Sequence, residues 1–322
     1  MNRNVYMRGF AVGALVLSLT GSGTASADES VGQPSVTATF TVGAGPMLDV
    51  ATDPSTHLAY VTSSGDGSLY AVDAQSRTAT IKVGEAPSGA AVDPTTQTAY
   101  ITSENTVSVV DLASRAVAGT IAVGNDPQGV EVDPSTHTVY VANVADGTVS
   151  VIDAVSRAVT ATIKVGNSPA KMGADPLSHL LYVSNRGDGT VSVVDPAKSA
   201  VIQTIPVGRG PSDVAVDPPT HTAFVPNAHD DSVSVLDLDN LAVIATIEVG
   251  SQPVAATVDS DAHSVVVTNF GSASVSVIDT NQRAVTDTVE VGNGPQYVAV
   301  DPTTHIAWVV NETDNSISVI QR

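Results

Sequence analysis

The stretch that decides the fold runs from Asp126 to Gly166, DPQGVEVDPSTHTVYVANVADGTVSVIDAVSRAVTATIKVG. Residues 129–133 alternate apolar and polar side chains and stop at Asp-Pro, a pair that starts turns. Residues 138–143, Thr-Val-Tyr-Val-Ala-Asn, are rich in β-branched and aromatic side chains that suit a strand. Val144 to Gly147 is a turn, because Asp146-Gly147 tolerates the positive φ that tight hairpins need. Residues 149–153 and 159–165 give a third and a fourth strand. No apolar period of 3.6 persists long enough for a helix.

The same pattern continues in both directions. A Val-Gly pair recurs at Val42, Val83, Val123, Val165, Val207, Val249 and Val291, at steps of 41, 40, 42, 42, 42 and 42 residues. A proline follows four residues after each valine. Asp-Pro then appears at Asp53, Asp93, Asp133, Asp175, Asp217 and Asp301, with Asp259-Ser260 as the exception. Four short antiparallel strands in about 42 residues is the period of a propeller blade. The last copy ends after its third strand, at residues 316–321, whereas residues 35–43 form an orphan fourth strand ahead of the first full copy. Pairing these two leaves no open sheet edge at the seam. The expected fold is therefore all-β: a seven-bladed β-propeller of four-stranded antiparallel blades over residues 35–322, closed by the N-terminal strand.

The segments Tyr60-Val-Thr-Ser63, Tyr100-Ile-Thr-Ser103, Tyr140-Val-Ala-Asn143, Tyr182-Val-Ser-Asn185, Phe224-Val-Pro-Asn227, Val266-Val-Thr-Asn269 and Trp308-Val-Val-Asn311 resemble the YVTN repeat. The chain looks like a YVTN-repeat β-propeller, of the seven-bladed exported bacterial type, over residues 36–322. That resemblance implies the propeller fold and an exported or cell-surface setting. Some members resemble the noncatalytic propeller chain of quinohaem amine dehydrogenases, and one branch is reported to bind DNA.

Composition narrows the function classes. The 322 residues carry 13 Lys+Arg against 33 Asp+Glu, a net charge of −20, with 42% apolar and only 14% charged residues. Such a chain can bury a core, and it lacks the clustered basic residues that release counterions from nucleic acid. Cysteine is absent, which excludes disulfides, thiolate metal sites and thiol catalysis. Arg3 and Arg8, the apolar run Phe10–Leu19 and Ala25-Ser26-Ala27 read as a cleaved signal peptide over residues 1–27, followed by a short linker over 28–34. The expectation is a secreted, periplasmic or cell-envelope protein, monomeric, with no membrane span and no nucleic-acid partner. Its partner would be a protein, a glycan or a small molecule.

Residues that recur in every copy are expected to be structural. His57, His137, His179, His221, His263 and His305 share one position, with Gln97 in the second copy. They sit on separate blades, too far apart for the short bonds a metal requires, and are expected to bond locally to turn backbone. Tyr60, Tyr100, Tyr140, Tyr182, Phe224 and Trp308 are expected to fill the space between blades.

Function should then lie where copies differ. Lys171, Arg186 and Arg209 are basic residues outside the repeat, expected on loops of one face in the fourth and fifth blades. Asp188, Asp213, His229, Asp230 and Asp231 lie near them, with Phe270 and Tyr297 on the sixth and seventh blades. Together they form a candidate patch for a small anionic or carbohydrate-like ligand, or for a partner loop. If the three basic residues serve binding, replacing all three with alanine should leave the melting temperature unchanged. Glu131 departs inside the channel, where other copies carry Ala91, Gly173, Ala215, Thr257 and Ala299. No cofactor is expected, and a structural Ca²⁺ or Mg²⁺ in the channel is left open. The leading expectation is a noncatalytic binding scaffold. That expectation rests on the regular repeats, the short loops and the absence of a nucleophile elbow, a zinc-protease helix motif or a phosphate loop. The alternative is a metal-assisted lactonase- or lyase-like enzyme at the channel mouth.

Overall fold

A computed structural model describes residues 33–321. The expected signal peptide and residues 28–32 of the expected linker lie outside the described residues. Seven four-stranded antiparallel sheets occupy residues 47–82, 87–122, 127–164, 169–206, 215–248, 253–290 and 295–321, the last completed by residues 35–40. We number these blades one to seven. Closure is as expected: Ser35–Phe40 pairs antiparallel with Ser316–Gln321. Among the described residues the only helices are two single 3-10 turns, at Pro218–Thr220 and Phe270–Ser272.

Within each blade the first strand lines a central channel and the fourth lies at the outer rim. Burial explains the composition of each strand. Thr138–Asn143 and Thr148–Asp153 are buried almost throughout, since both faces are covered by neighbouring blades, and so apolar residues occupy both faces, as in the unbroken run Val139 to Ala142. Ala158–Lys164, at the rim, is mostly exposed. The second-strand aromatics act as wedges between blades. Tyr140 packs with Met172, Leu181 and Val183 of blade four, and Trp308 with Val50 and Val61 of blade one.

Three letters of the repeat belong to one hydrogen-bond unit. In blade four the buried Asn185 donates through Nδ2 to Thr190 and Ser192, at 3.0 and 2.9 Å, and accepts from the Gly166 N–H at 3.0 Å. A Cβ on Gly166 would lie 2.6 Å from the Asn185 Cγ, so the Val-Gly glycine, the strand-ending Asn and the Val-Ser-Val serine require one another. Asn143, Asn227, Asn269 and Asn311 repeat the two donations. Blades one and two carry Ser63 and Ser103 instead.

The histidines differ from expectation. Each, like Gln97, sits at a φ of 49–57°. The local backbone bond is made by the main-chain N–H, as in His57 N–H to the Asp53 carbonyl at 2.9 Å. The side chains instead reach across the seams. His57, His137, His179 and His305 place Nδ1 2.8–3.1 Å from Asp301, Asp93, Asp133 and Asp259 of the preceding blade. Gln97 reaches Asp53 at 2.9 Å, and Ser260 reaches Asp217 at 2.6 Å. At the seam between blades four and five, His221 turns to Asp239 of its own blade, 3.1 Å away. The turn acids are acceptors for a belt around the ring. Desolvation opposes their charge, but hydroxyl, backbone and cross-seam hydrogen bonds outweigh it, holding Asp93, Asp133 and Asp301 below the usual carboxylate range.

Candidate functional site

Four residues before the turn aspartate, the first strands contribute one ring of positions: Asp49, Gly89, Gly129, Lys171, Asp213, Ala255 and Tyr297. On blades two and three this position admits no side chain. A Cβ on Gly129 would meet the Ala170 carbonyl oxygen at 2.2 Å. The other blades have room, and four of them carry the polar groups of the channel. Asp49 and Asp213 are equivalent in geometry as well as in register. Asp49 accepts from Val50 N–H and from Ala90 N–H of the next blade, both at 2.9 Å. Asp213 accepts from Val214 N–H at 2.8 Å and from Ala256 N–H of the next blade at 3.1 Å.

Lys171 lies within the strand Pro169–Ala174 rather than on a loop, and its side chain crosses the channel. Its Nζ sits 2.5 Å from the Asp49 carboxylate and 4.4 Å from the centre of the Tyr297 ring. The pair is enclosed, the lysine side chain 17% exposed and the aspartate 2%. Burial works against the ammonium, but Asp49, Tyr297 and Asp213 outweigh it and hold it above the usual lysine range. Lys171 lines two cavities, one along the channel and one at its mouth, so the Lys171–Asp49–Tyr297 cluster is a plug between them.

The channel cavity, about 360 Å³, is walled by Val, Ala and Gly of the first strands and holds Glu131 and Asp213. Removal from water is the main cause that pushes Glu131 up to about 8, with Asp213 and Asp49 adding repulsion and Lys171 opposing. Glu131 keeps partial solvent contact along the channel, yet bulk water cannot surround it. Burial likewise pushes Asp213 up to about 6, against the attraction of Lys171 and its two backbone donors. Tyr297 is pushed up to about 12 by burial and by neighbouring carboxylates.

At the mouth, a cavity of about 230 Å³ is lined by Arg186, His229, Phe270, Gln252, Gln296 and Glu312, among others. Arg186, His229 and Phe270 thus come together from three blades. Among the described residues no hydrogen bond or ion pair engages the Arg186 side chain. Arg209 and Asp230 do not line this cavity; they bind each other. Arg209 Nε and backbone N–H both donate to Asp230 at 2.6 Å, and Nη2 donates to the His229 carbonyl at 2.8 Å. Asn125–Asp146, Asn167–Asp188 and Asn293–Asp314 make the same clamp 21 residues apart. Asp188 and Asp230 therefore belong to the repeat, and Arg209 is one variant of its partner. Asp231 accepts from the Gln252 N–H at 2.8 Å.

Asp49 escaped the sequence reading because blade one has an extra residue before Asp53, taken up as a bulge between Met47 and Asp49. Counting back from the turn aspartate, instead of forward from Val-Gly, puts Asp49 in register with Lys171 and Asp213. Gln252, Gln296 and Glu312 carried no signal of their own.

No family model matches the chain, and no curated protein matches it. Among solved structures, the hydrazine synthase of Kuenenia stuttgartiensis is similar at a TM-score of 0.79 and 18% identity, over 88% of this chain and 97% of that one. At that identity the likeness is one of fold. Sites are grafted onto folds, so the chemistry has to be read from the side chains above. Among the described residues, no three His, Asp or Glu side chains converge as a metal ion would need, and no helix is long and apolar enough to cross a membrane.

Proposed function

We propose that the protein is an exported, noncatalytic scaffold that binds a small ligand bearing an anionic group at its channel mouth. One observation carries this: Arg186, His229 and Phe270, residues outside the repeat on three different blades, line one cavity, and the guanidinium there is unengaged. A free guanidinium offers a planar fork for a carboxylate or phosphate, and an aromatic face beside it suits an apolar or sugar-ring portion. Clamped loops on both sides hold the rim in place before binding, which lowers the cost of association. The N-terminal export pattern and the resemblance to YVTN-repeat propellers support an envelope or extracellular setting, which fractionation of cells producing the full chain would test. The binding test is a thermal-shift screen of the protein against metals, small anions and glycans. Hits should vanish in Arg186→Ala and Phe270→Ala while the unliganded melting temperatures stay in place. Hits that survive both substitutions would move the site elsewhere.

A second reading, an enzyme working in the channel, is favoured by Glu131 alone, a carboxylate pushed up to about 8 in a cavity of about 360 Å³. A carboxyl so shifted suits general acid–base work near neutral pH. Stoichiometric Ca²⁺ or Mg²⁺ in the purified protein, with lactonase or lyase turnover lost in Glu131→Gln, would replace the binding reading.

A further inference from the structure

We infer that the mouth recognises a ligand charged at both ends, a short free peptide, lying across the channel axis with its carboxylate at Arg186 and its ammonium at Glu104 and Asp126. This rests on the binding reading of the Arg186 cavity and adds the other half of the site. A second cavity, about 400 Å³, opens over blades one to three and is lined by Ser88, Glu104, Asp126 and Gln128. It meets the Arg186 cavity at Gln296, which lines both. Volumes of this order are typical of small-ligand sites.

The two halves differ in sign. In the second cavity, Asp49 and Lys171 neutralise each other, leaving the exposed Glu104 and Asp126. Among the described residues the Asp126 carboxylate bonds only the Gln128 amide, at 3.3 and 3.5 Å, and Glu104 has no side-chain partner. In the first cavity, Arg186 supplies the opposite sign, beside the His229 ring and Glu312. Gln296 lines both cavities, Gln128 lines the acidic one and Gln252 the Arg186 one, and each side-chain amide has donors and an acceptor of the kind a peptide bond pairs with. Phe270 offers a face for an apolar side chain.

The plug decides the orientation. Because Lys171, Asp49 and Tyr297 close the channel beneath the mouth, a ligand spans the opening instead of threading it. A free amino acid carries its two charges on neighbouring groups, whereas the carboxylates and the guanidinium line different cavities. An acidic glycan fills only the Arg186 half. A peptide of a few residues has charges at both ends and amides between them, and so can occupy both cavities at once.

The test is isothermal titration of the full chain with a tetrapeptide of three alanines and a C-terminal phenylalanine, its N-acetylated form and its C-amidated form, with 3-phenylpropionate as a monoanion. The free peptide should bind, and each cap should weaken it by about tenfold or more, as expected for loss of a charge-assisted contact. Amidation should cost nothing further in Arg186→Ala. Acetylation should cost nothing further in Glu104→Gln/Asp126→Asn. Acetylation without effect, or with an equal effect in that double variant, overturns the proposal. So does a phenylpropionate that binds through Arg186 while every peptide fails, and in that case the binding reading itself stands. If no probe binds, both fall.

Discussion

Lys171 and Arg209 look alike in the sequence, two unrepeated basic residues 38 positions apart at the same end of the ring. Each is paired with an aspartate at 2.5–2.6 Å. Their settings are opposite. Lys171 meets Asp49 across an enclosed channel, whereas Arg209 is 78% exposed and ties one loop to its neighbour. Attraction between two charges at a fixed distance depends on what surrounds them. One pair therefore holds blades one and four together, and the other ornaments the rim. Arg186, the third of the trio, is engaged by nothing among the described residues, and it is the one free to meet a ligand.

The largest effect should come from halving the buried pair. Lys171→Ala leaves Asp49 charged and enclosed, and removing one partner of a buried ion pair typically costs roughly 3–5 kcal/mol. Chemical denaturation should show that loss. Lys171→Met combined with Asp49→Asn should recover most of it, since the uncompensated charge is then gone. The triple alanine variant of Lys171, Arg186 and Arg209 should accordingly lose stability, contrary to the sequence expectation, and the loss should trace to Lys171 alone. A stable Lys171→Ala would show that water reaches the plug.

The propeller was legible because each of its seven copies states the same strand pattern, and ring closure follows from counting strands. The wedge role of Tyr140 and Trp308 was legible for the same reason. The cross-seam belt was not, because whether His137 bonds its own turn or Asp93 depends on how blades abut, which strand periodicity leaves open. Among site residues, Arg186, His229 and Phe270 gather as expected. Lys171, Asp213 and Tyr297 gather too, but inside the channel and not on loops, and Glu131 lies in the channel where the sequence put it. The bulge near Asp49 hid only that residue's register with the other three. Arg209 and Asp230 were misplaced because the recurrence of Asp146, Asp188, Asp230 and Asp314 was read as variation.

Next in size is Glu131, a half-buried channel carboxyl whose charge is opposed by desolvation more than Lys171 and the Ala174 backbone favour it. Its folded-state pKa lies above its unfolded value, so the folded protein holds the proton more tightly. Stability from this group is present below about pH 4.5 and is lost as pH rises toward 8. Asp213 adds the same sign up to about pH 6. Glu131→Gln should raise unfolding free energy at pH 8 by about 1–3 kcal/mol and change little at pH 4. An equal change at both pH values would mean that the channel carboxylate is solvated.

The seam belt should respond less, and with the opposite pH sign. Asp93, Asp133 and Asp301 are held below the usual range, so their contribution is present above about pH 4 and fades as pH falls further. His137→Ala removes one cross-seam bond to the buried Asp93 and should cost about 1 kcal/mol at neutral pH. His221→Ala, at the seam where the histidine bonds an exposed acid of its own blade, should cost less than His137→Ala. Equal losses would mean that the turn, and not the seam, is what these histidines serve.

The smallest stability effect should come from the exposed pair, and it isolates what the comparison of basic residues means. Exposed ion pairs gain little in water and are screened further by salt. Arg209→Ala leaves the Arg209 backbone N–H to Asp230 bond in place, so the loop clamp survives the loss of the guanidinium. Its melting temperature should match the parent within measurement error, with or without added salt. Arg186→Ala should match it too, because no internal contact is removed. The two variants should separate only when a ligand is present, since Arg186 lines the mouth cavity and Arg209 does not. Equal loss of binding in both would place the ligand over the rim clamp and not in the cavity.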